Sequence, residues 1–251
     1  MISKPIYEPK GKAKEYGELA LNIYTGCNHG CVYCYARKMA ERYTSKDSIC
    51  GFNNPSPRTD IVESVKRQLS TGKIKGRTIH LCFSCDPYPA DIDTTPTRDI
   101  IEIIKDSGNH VQILTKGGSR AERDFDLLDD GDWFGVTYTG YGLGCLFIPS
   151  PEEPGATPPF ERLASLGRAH KLGIKTWMSM EPVINEHDIT SFLDLNVGYV
   201  DKYKIGKLNY APSDINWGEF GKKCERICRS WGHDYYIKDD LRSLMESEAQ
   251  A

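Results

Sequence analysis

The chain has 251 residues, of which 39% are hydrophobic and 27% charged, enough to bury one large core or two small ones. Its net charge of −3 supplies no global positive field that would draw it to nucleic acid. No apolar run approaches the roughly 20 residues of a membrane-spanning helix, and the opening MISKPIYEPKGKAKEYG lacks a signal-peptide core, so no membrane association and a cytoplasmic location are expected.

Taken in chain order, short apolar runs alternate with amphipathic stretches. Strands are predicted at 19–24 (LALNIY), 78–83 (TIHLCF), 111–115 (VQILT), 133–138 (WFGVTY), 174–180 (IKTWMSM) and 199–205 (YVDKYKI). Helices are predicted between them at 34–43, 59–70, 97–107, 120–129, 160–172 and 186–195, with a last one near 217–231. Pro96 or Thr97 opens one helix, and Gly108 and Gly173 close two. Six strand–helix units in series point to an α/β fold, a partial (β/α)6 TIM-like barrel. Its core is expected over 19–206, after an extension at 1–18 and before a helical extension at 207–251 packed on the core. The Gly- and Pro-rich stretch 140–159 reads as a long loop, a length often tied to function.

Nine cysteines in a chain read as cytosolic call for metal binding or catalysis before disulfides. Cys27, Cys31 and Cys34 form a C-x3-C-x2-C array directly after the first predicted strand, with Gly26 and Gly30 free to turn tightly around a bound group. Three thiolates can hold three irons of a cubane cluster and leave the fourth for a small molecule. The alternatives are zinc, with His29 or a distant fourth ligand, or an electron-transfer cluster with a fourth cysteine. Elsewhere, Cys224 and Cys228 are spaced to share one face of the last helix and read as core. Cys50 and Cys145 stand alone. Tyr210, Trp217, Tyr235 and Tyr236, near Lys204, Lys207 and Lys238, are candidates for stacking on bases.

The segment LNIYTGCNHGCVYCYAR resembles the cluster loop of the radical S-adenosylmethionine (SAM) superfamily, in particular its spore photoproduct lyase-like branch. FSCDPY at 83–88, LTK at 114–116, EPGATPPFERL at 153–163 and EPVIN at 181–185 extend the resemblance along most of the chain. It implies a [4Fe–4S] cluster held by Cys27, Cys31 and Cys34 at the carboxyl-end loops of the barrel. It further implies reductive cleavage of SAM to a 5′-deoxyadenosyl radical, driven by a one-electron donor such as flavodoxin or ferredoxin. The substrate class implied by the branch is a nucleic-acid base or nucleotide; a peptide or small metabolite, and a non-enzymatic cluster or zinc protein, are the competing readings.

The same resemblance places Tyr35, Ser84, Asp86, Lys116 and Thr137 near SAM and gives Tyr33 a part in radical transfer. One departure stands out. Where the branch has its hydrogen-donating cysteine this chain has Phe83, and Cys85 takes the place of a SAM-contacting serine, so Cys85 becomes the candidate hydrogen donor. Strand alternation predicts Cys82 and Phe83 on opposite faces, with Phe83 and Cys85 sharing one.

Overall fold

The computed structural model describes residues 4–43, 51–140, 148, 150–209 and 211–247. Its strands are β1 (Ile6–Tyr7), β2 (Leu19–Leu21), β3 (Tyr24–Thr25), β4 (Ser56–Pro57), β5 (Thr78–Leu81), β6 (His110–Thr115), β7 (Trp133–Thr137), β8 (Lys175–Met180), β9 (Lys202–Ile205) and β10 (Tyr235–Ile237). The α-helices are α1 (Tyr35–Tyr43), α2 (Ile61–Leu69), α3 (Thr95–Asp106), α4 (Pro159–Lys171), α5 (Glu186–Asp194), α6 (Trp217–Trp231) and α7 (Asp239–Ser247).

Eight strands form one sheet in the order β1-β2-β5-β6-β7-β8-β9-β10, with β1 antiparallel to β2 and every other pairing parallel. Helices alternating with parallel strands build the partial TIM-like barrel that the six-unit pattern predicts. All six predicted strands are present, mostly trimmed at their ends. The sheet is longer than predicted: β10 pairs in parallel with β9, so residues 207–251 supply a strand as well as α6 and α7. The pair β3–β4 forms a separate ribbon.

One helix prediction fails. Residues 118–127 form a 3-10 segment rather than an α-helix. Gly118 enters it at φ +51°, and Asp124 and Phe125 within it are poor helix formers. Asp124 is instead fully buried and accepts from Arg98 on α3 at 3.2 Å. Gly108 and Gly173 follow their helices at φ +75° and +81°, as predicted.

The two faces of the sheet differ in chemistry. Ile79, Leu81, Val111, Ile113, Phe134, Val136, Met178, Met180, Tyr203 and Ile205 are all buried under the helices, together with Cys224 and Cys228 of α6. The opposite face carries His80, Gln112, Trp177, Ser179 and Lys204. Gly135 has no side chain because the Trp177 indole lies where its Cβ would be, 2.3 Å away, and donates to Ile113 O at 2.9 Å. Tyr16, from the segment before β2, fills this face. Its hydroxyl donates to Glu181 at 2.7 Å, and the Lys204 and Lys238 ammoniums lie 4.9 and 4.7 Å from its ring centroid.

Candidate cofactor site

Cys27, Cys31 and Cys34 lie between β3 and α1, at the carboxyl end of the sheet, in a loop whose shape is fixed by its glycines and by partners from three other segments. Gly26 turns at φ +82°, and a Cβ there would meet Phe52 O at 2.3 Å, the same carbonyl that accepts from Cys27 N–H at 2.7 Å. Gly30 turns at φ +69°. From the far side, the segment after β7 grips the loop by its backbone: Val32 N–H donates to Glu152 O and Gly155 N–H to His29 O, each at 2.9 Å. Asn28 ties the loop to the segment after β5, donating to Ala90 O at 2.6 Å and accepting from Ala90 N–H at 3.1 Å.

The three thiols are free, partly exposed and turned toward one small cavity that is also lined by His29, Gly30, Arg37, Phe52 and Asn53. Burial pushes the Cys27 and Cys31 thiols up, to about 12 and about 11. Such thiols ionise only when a cation compensates, and a soft metal centre supplies that compensation. Arg37 N–H donates to Cys34 Sγ at 3.4 Å. His29 is excluded as a further ligand by its own bonds. Arg120 donates to its Nε2 at 2.7 Å, which leaves the proton on Nδ1, 3.4 Å from Asp86 Oδ2. Burial, only partly offset by Asp86, lowers its pKa to about 4, so the ring is neutral at neutral pH. Among the described residues the cavity offers three thiols and no fourth, a donor set that fits a cluster with one iron left open.

Asp86 is the hub beside this loop. Its carboxylate accepts from Thr115 Oγ1 at 2.6 Å, Tyr88 N–H at 2.8 Å and Lys116 N–H at 2.9 Å. Burial alone would raise its pKa, yet His29 and these donors hold it below the usual carboxylate range. Both oxygens are therefore occupied by protein. The Lys116 ammonium lies 5.7 Å from the Tyr33 ring centroid and 3.9 Å from Glu153. Glu153, fully buried, also accepts from the Tyr33 hydroxyl and from Arg162 Nη2 at 2.5 Å. Burial opposes its charge, but Arg162, Lys116 and Tyr33 keep it ionised.

Tyr35 is on the exposed side of α1 and its hydroxyl donates to Phe83 O. Thr137 ends β7, buried, level with Ser179 of β8. Ser84 and Phe83 both donate their N–H to Asn22 Oδ1, at 2.9 and 2.8 Å. The alternation expected for 82–85 does not occur. Strand β5 stops at Leu81, Cys82 turns at φ +69°, and bends follow at Phe83, Ser84 and Cys85. Cys82 is buried in the core and Cys85 only partly.

Sequence reasoning missed Asn22, Asn28, Glu152 and the Glu153–Arg162 pair. Asn28 lies inside the recognised motif and Glu153 and Arg162 inside a recognised segment, but their partners lie 62 and 9 positions away along the chain. The aromatic and lysine residues proposed to stack on bases are largely engaged within the protein where they are described. Lys204 and Lys238 are buried, Tyr235 bonds Glu225 and Tyr236 bonds Asp239. Tyr210, Cys50, Cys145 and part of the 140–159 loop lie outside the described residues.

A family model described as the radical SAM superfamily matches residues 21–195. An uncharacterised protein of Acidianus two-tailed virus is 27% identical over 183 residues, covering 70% of this chain and 60% of that protein. One from Methanocaldococcus jannaschii is 27% identical over 184 residues, covering 72% and 65%. The chain thus spans less than two thirds of either relative's length. Among solved structures, spore photoproduct lyase complexed with dinucleoside spore photoproduct superposes with a TM-score of 0.65 at 14% identity, covering 92% of this chain and 79% of that one. Streptococcus suis SuiB bound to precursor peptide SuiA superposes with a TM-score of 0.62 at 10% identity, covering 91% and 51%. These two likenesses concern the fold. Among the described residues no helix is long and apolar enough to cross a membrane.

Proposed function

The chain belongs to the radical SAM superfamily, and from that premise we propose that it abstracts hydrogen from a nucleotide or nucleic-acid base, with Cys27, Cys31 and Cys34 holding a [4Fe–4S] cluster. The observation that carries the metal assignment is the convergence of three free thiols on one cavity that has no fourth thiol among the described residues. When bound, cluster and SAM together supply reductive formation of a 5′-deoxyadenosyl radical, with a flavodoxin- or ferredoxin-type protein as electron source.

The residues around the cavity have distinct duties in this reading. Lys116 offers an ammonium to the SAM carboxylate, and burial against Glu153 keeps it from swinging into solvent. Thr137, Ser84 and Tyr35 border the cofactor. Asp86 acts one step back: it fixes the Lys116 and Tyr88 backbones and the Thr115 hydroxyl, and so sets the rim of the pocket. Tyr33, bonded to Glu153, stands beside the cluster loop as a radical-transfer candidate. Cys85 returns hydrogen to the substrate radical through its weak S–H bond.

The nucleotide assignment is supported by the fold shared with spore photoproduct lyase. A peptide substrate is the second reading. It is favoured by the internal use of Lys204, Lys238, Tyr235 and Tyr236, which leaves fewer groups to grip a polynucleotide, and by the fold shared with SuiB.

Protein reconstituted anaerobically with iron and sulfide should release 5′-deoxyadenosine from SAM on addition of dithionite. Intact SAM after long incubation with a fully loaded, reduced cluster would overturn the enzymatic reading. Tightly held zinc without iron would overturn the cluster.

A further inference from the structure

Phe83 lies on the unexpected face of the sheet for an apolar ring. Along β5, Ile79 and Leu81 point into the apolar core and His80 into the polar interior. Continued alternation would bury Phe83 beside Leu81 and turn Cys82 to the interior. The chain does the reverse. Cys82 adopts φ +69°, a left-handed conformation that a non-glycine residue rarely takes, and its side chain is buried in the core. The Phe83 ring then stacks on His80, centroids 4.3 Å apart and planes 24° apart. Unlike Leu81, Cys82 and Cys85, Phe83 does not pack on the apolar core, and it stays partly exposed. Strain of this kind persists only where the surrounding structure enforces it. Here it takes an aromatic ring out of the core and stands it at the carboxyl end of the barrel, where barrel active sites form.

The ring is held as a fixed platform. Asn22 Oδ1 accepts from the N–H groups of Phe83 and Ser84, and Asn22 itself donates to the Tyr7 hydroxyl at 2.8 Å. The Phe83 carbonyl accepts from the Tyr35 hydroxyl of α1, the helix that opens directly after Cys34. Tyr16 meets the ring edge-on, centroids 6.0 Å apart and planes at 77°. His80, which backs the ring, is fixed in turn: Gln112 Nε2 lies 3.1 Å from its Nδ1 and donates to Tyr16 O at 2.9 Å. A rigid ring backed by a second ring, with accessible surface remaining, is what a planar heterocycle stacks on.

We infer that Phe83 is a specificity-determining residue, the platform on which a nucleobase of the substrate stacks. The inference rests on the nucleotide reading above and deepens it. Stacking favours planar heterocycles over aliphatic groups and accepts any base, because every base has a π face. It also places the substrate next to the cofactor side of the site, since Tyr35 bonds the Phe83 carbonyl.

The test uses the full-length, anaerobically reconstituted protein with SAM and no reductant, so that binding is read without turnover. A thymidine oligonucleotide and an abasic oligonucleotide of equal length are titrated by calorimetry. The wild-type protein should bind the thymidine probe more tightly than the abasic one. Phe83→Leu should weaken the thymidine probe by about tenfold or more and leave the abasic probe unchanged, whereas Phe83→Trp should keep the preference. The ratio between the two probes is the readout, and Phe83→Met supplies a second non-aromatic replacement should Phe83→Leu fold poorly. Equal weakening of both probes in a folded variant, an unchanged ratio, or a wild-type protein that does not distinguish the probes would overturn the inference. Release of 5′-deoxyadenosine is measured separately with dithionite, so a failed platform and a failed enzymatic reading are told apart.

Discussion

Two polar regions sit at the carboxyl end of the same sheet and are built on opposite plans. At β8–β10, Tyr16, Glu181, Lys204 and Lys238 satisfy one another. Lys238 donates to Glu181 at 2.5 Å and lies 3.4 Å from Glu15, and Lys204 donates to the backbone carbonyls of Glu15 and Tyr16 at 2.9 and 3.2 Å. At β2–β7, Asp86, Glu153, Arg162 and His29 are equally saturated, yet what they enclose is not: three thiols share a cavity. Buried charge alone therefore does not mark a site. A site shows itself where a saturated frame surrounds metal-ligating side chains that share an open cavity.

That contrast can be broken by mutation. The largest effect belongs to the thiols. Cys27→Ala, Cys31→Ala or Cys34→Ala should each abolish iron binding and 5′-deoxyadenosine release, measured by iron and sulfide content and by product chromatography. Thermal unfolding of the metal-free protein should barely move, because these side chains are only partly buried. Lys238→Ala should do the reverse. It leaves Glu181 and Glu15 without their buried cation and should cost about 3 kcal/mol in urea unfolding, with SAM cleavage per folded molecule unchanged. A loss of cleavage without loss of stability would erase the distinction between the two regions.

A smaller effect sharpens the Tyr16–Lys204 region, where the His80 ring lies 5.9 Å from that of Tyr16. Burial, with Lys204 nearby, lowers the His80 pKa from 6.5 to about 3. The unfolded chain then takes up a proton below pH 6.5 that the folded chain refuses, so stability is fully present above pH 6.5 and falls as pH drops toward 3. One such group contributes a slope of at most about 1.4 kcal/mol per pH unit. His80→Gln should flatten the slope by that amount in denaturant titrations across the window.

Much of this was legible in the chain. Apolar runs such as TIHL and WFGVT located the strands because both faces of a parallel sheet are covered. The cysteine spacing located the cavity because three ligands on one short loop are local in sequence. β10 was not legible: YYI is three residues long and only its isoleucine is fully buried. Nor was the frame of the site. Asn22 and Asn28 are ordinary loop residues until the turn after β5 arrives beside them, about 60 positions on. The failure at Cys82 has the same origin, since periodicity assumes a strand continues and Asn22 ends it.

The two backbone bonds joining the cysteine loop to the segment after β7 have a dynamic consequence. Val32 and Gly155 donate in opposite directions across the same seam, so neither segment can open while the other stays closed. Their amide protons should therefore exchange with solvent as one cooperative unit, with a common opening free energy. Stiffening the thiol loop would slow exchange at Gly155, about 120 positions downstream, as much as at Val32 itself.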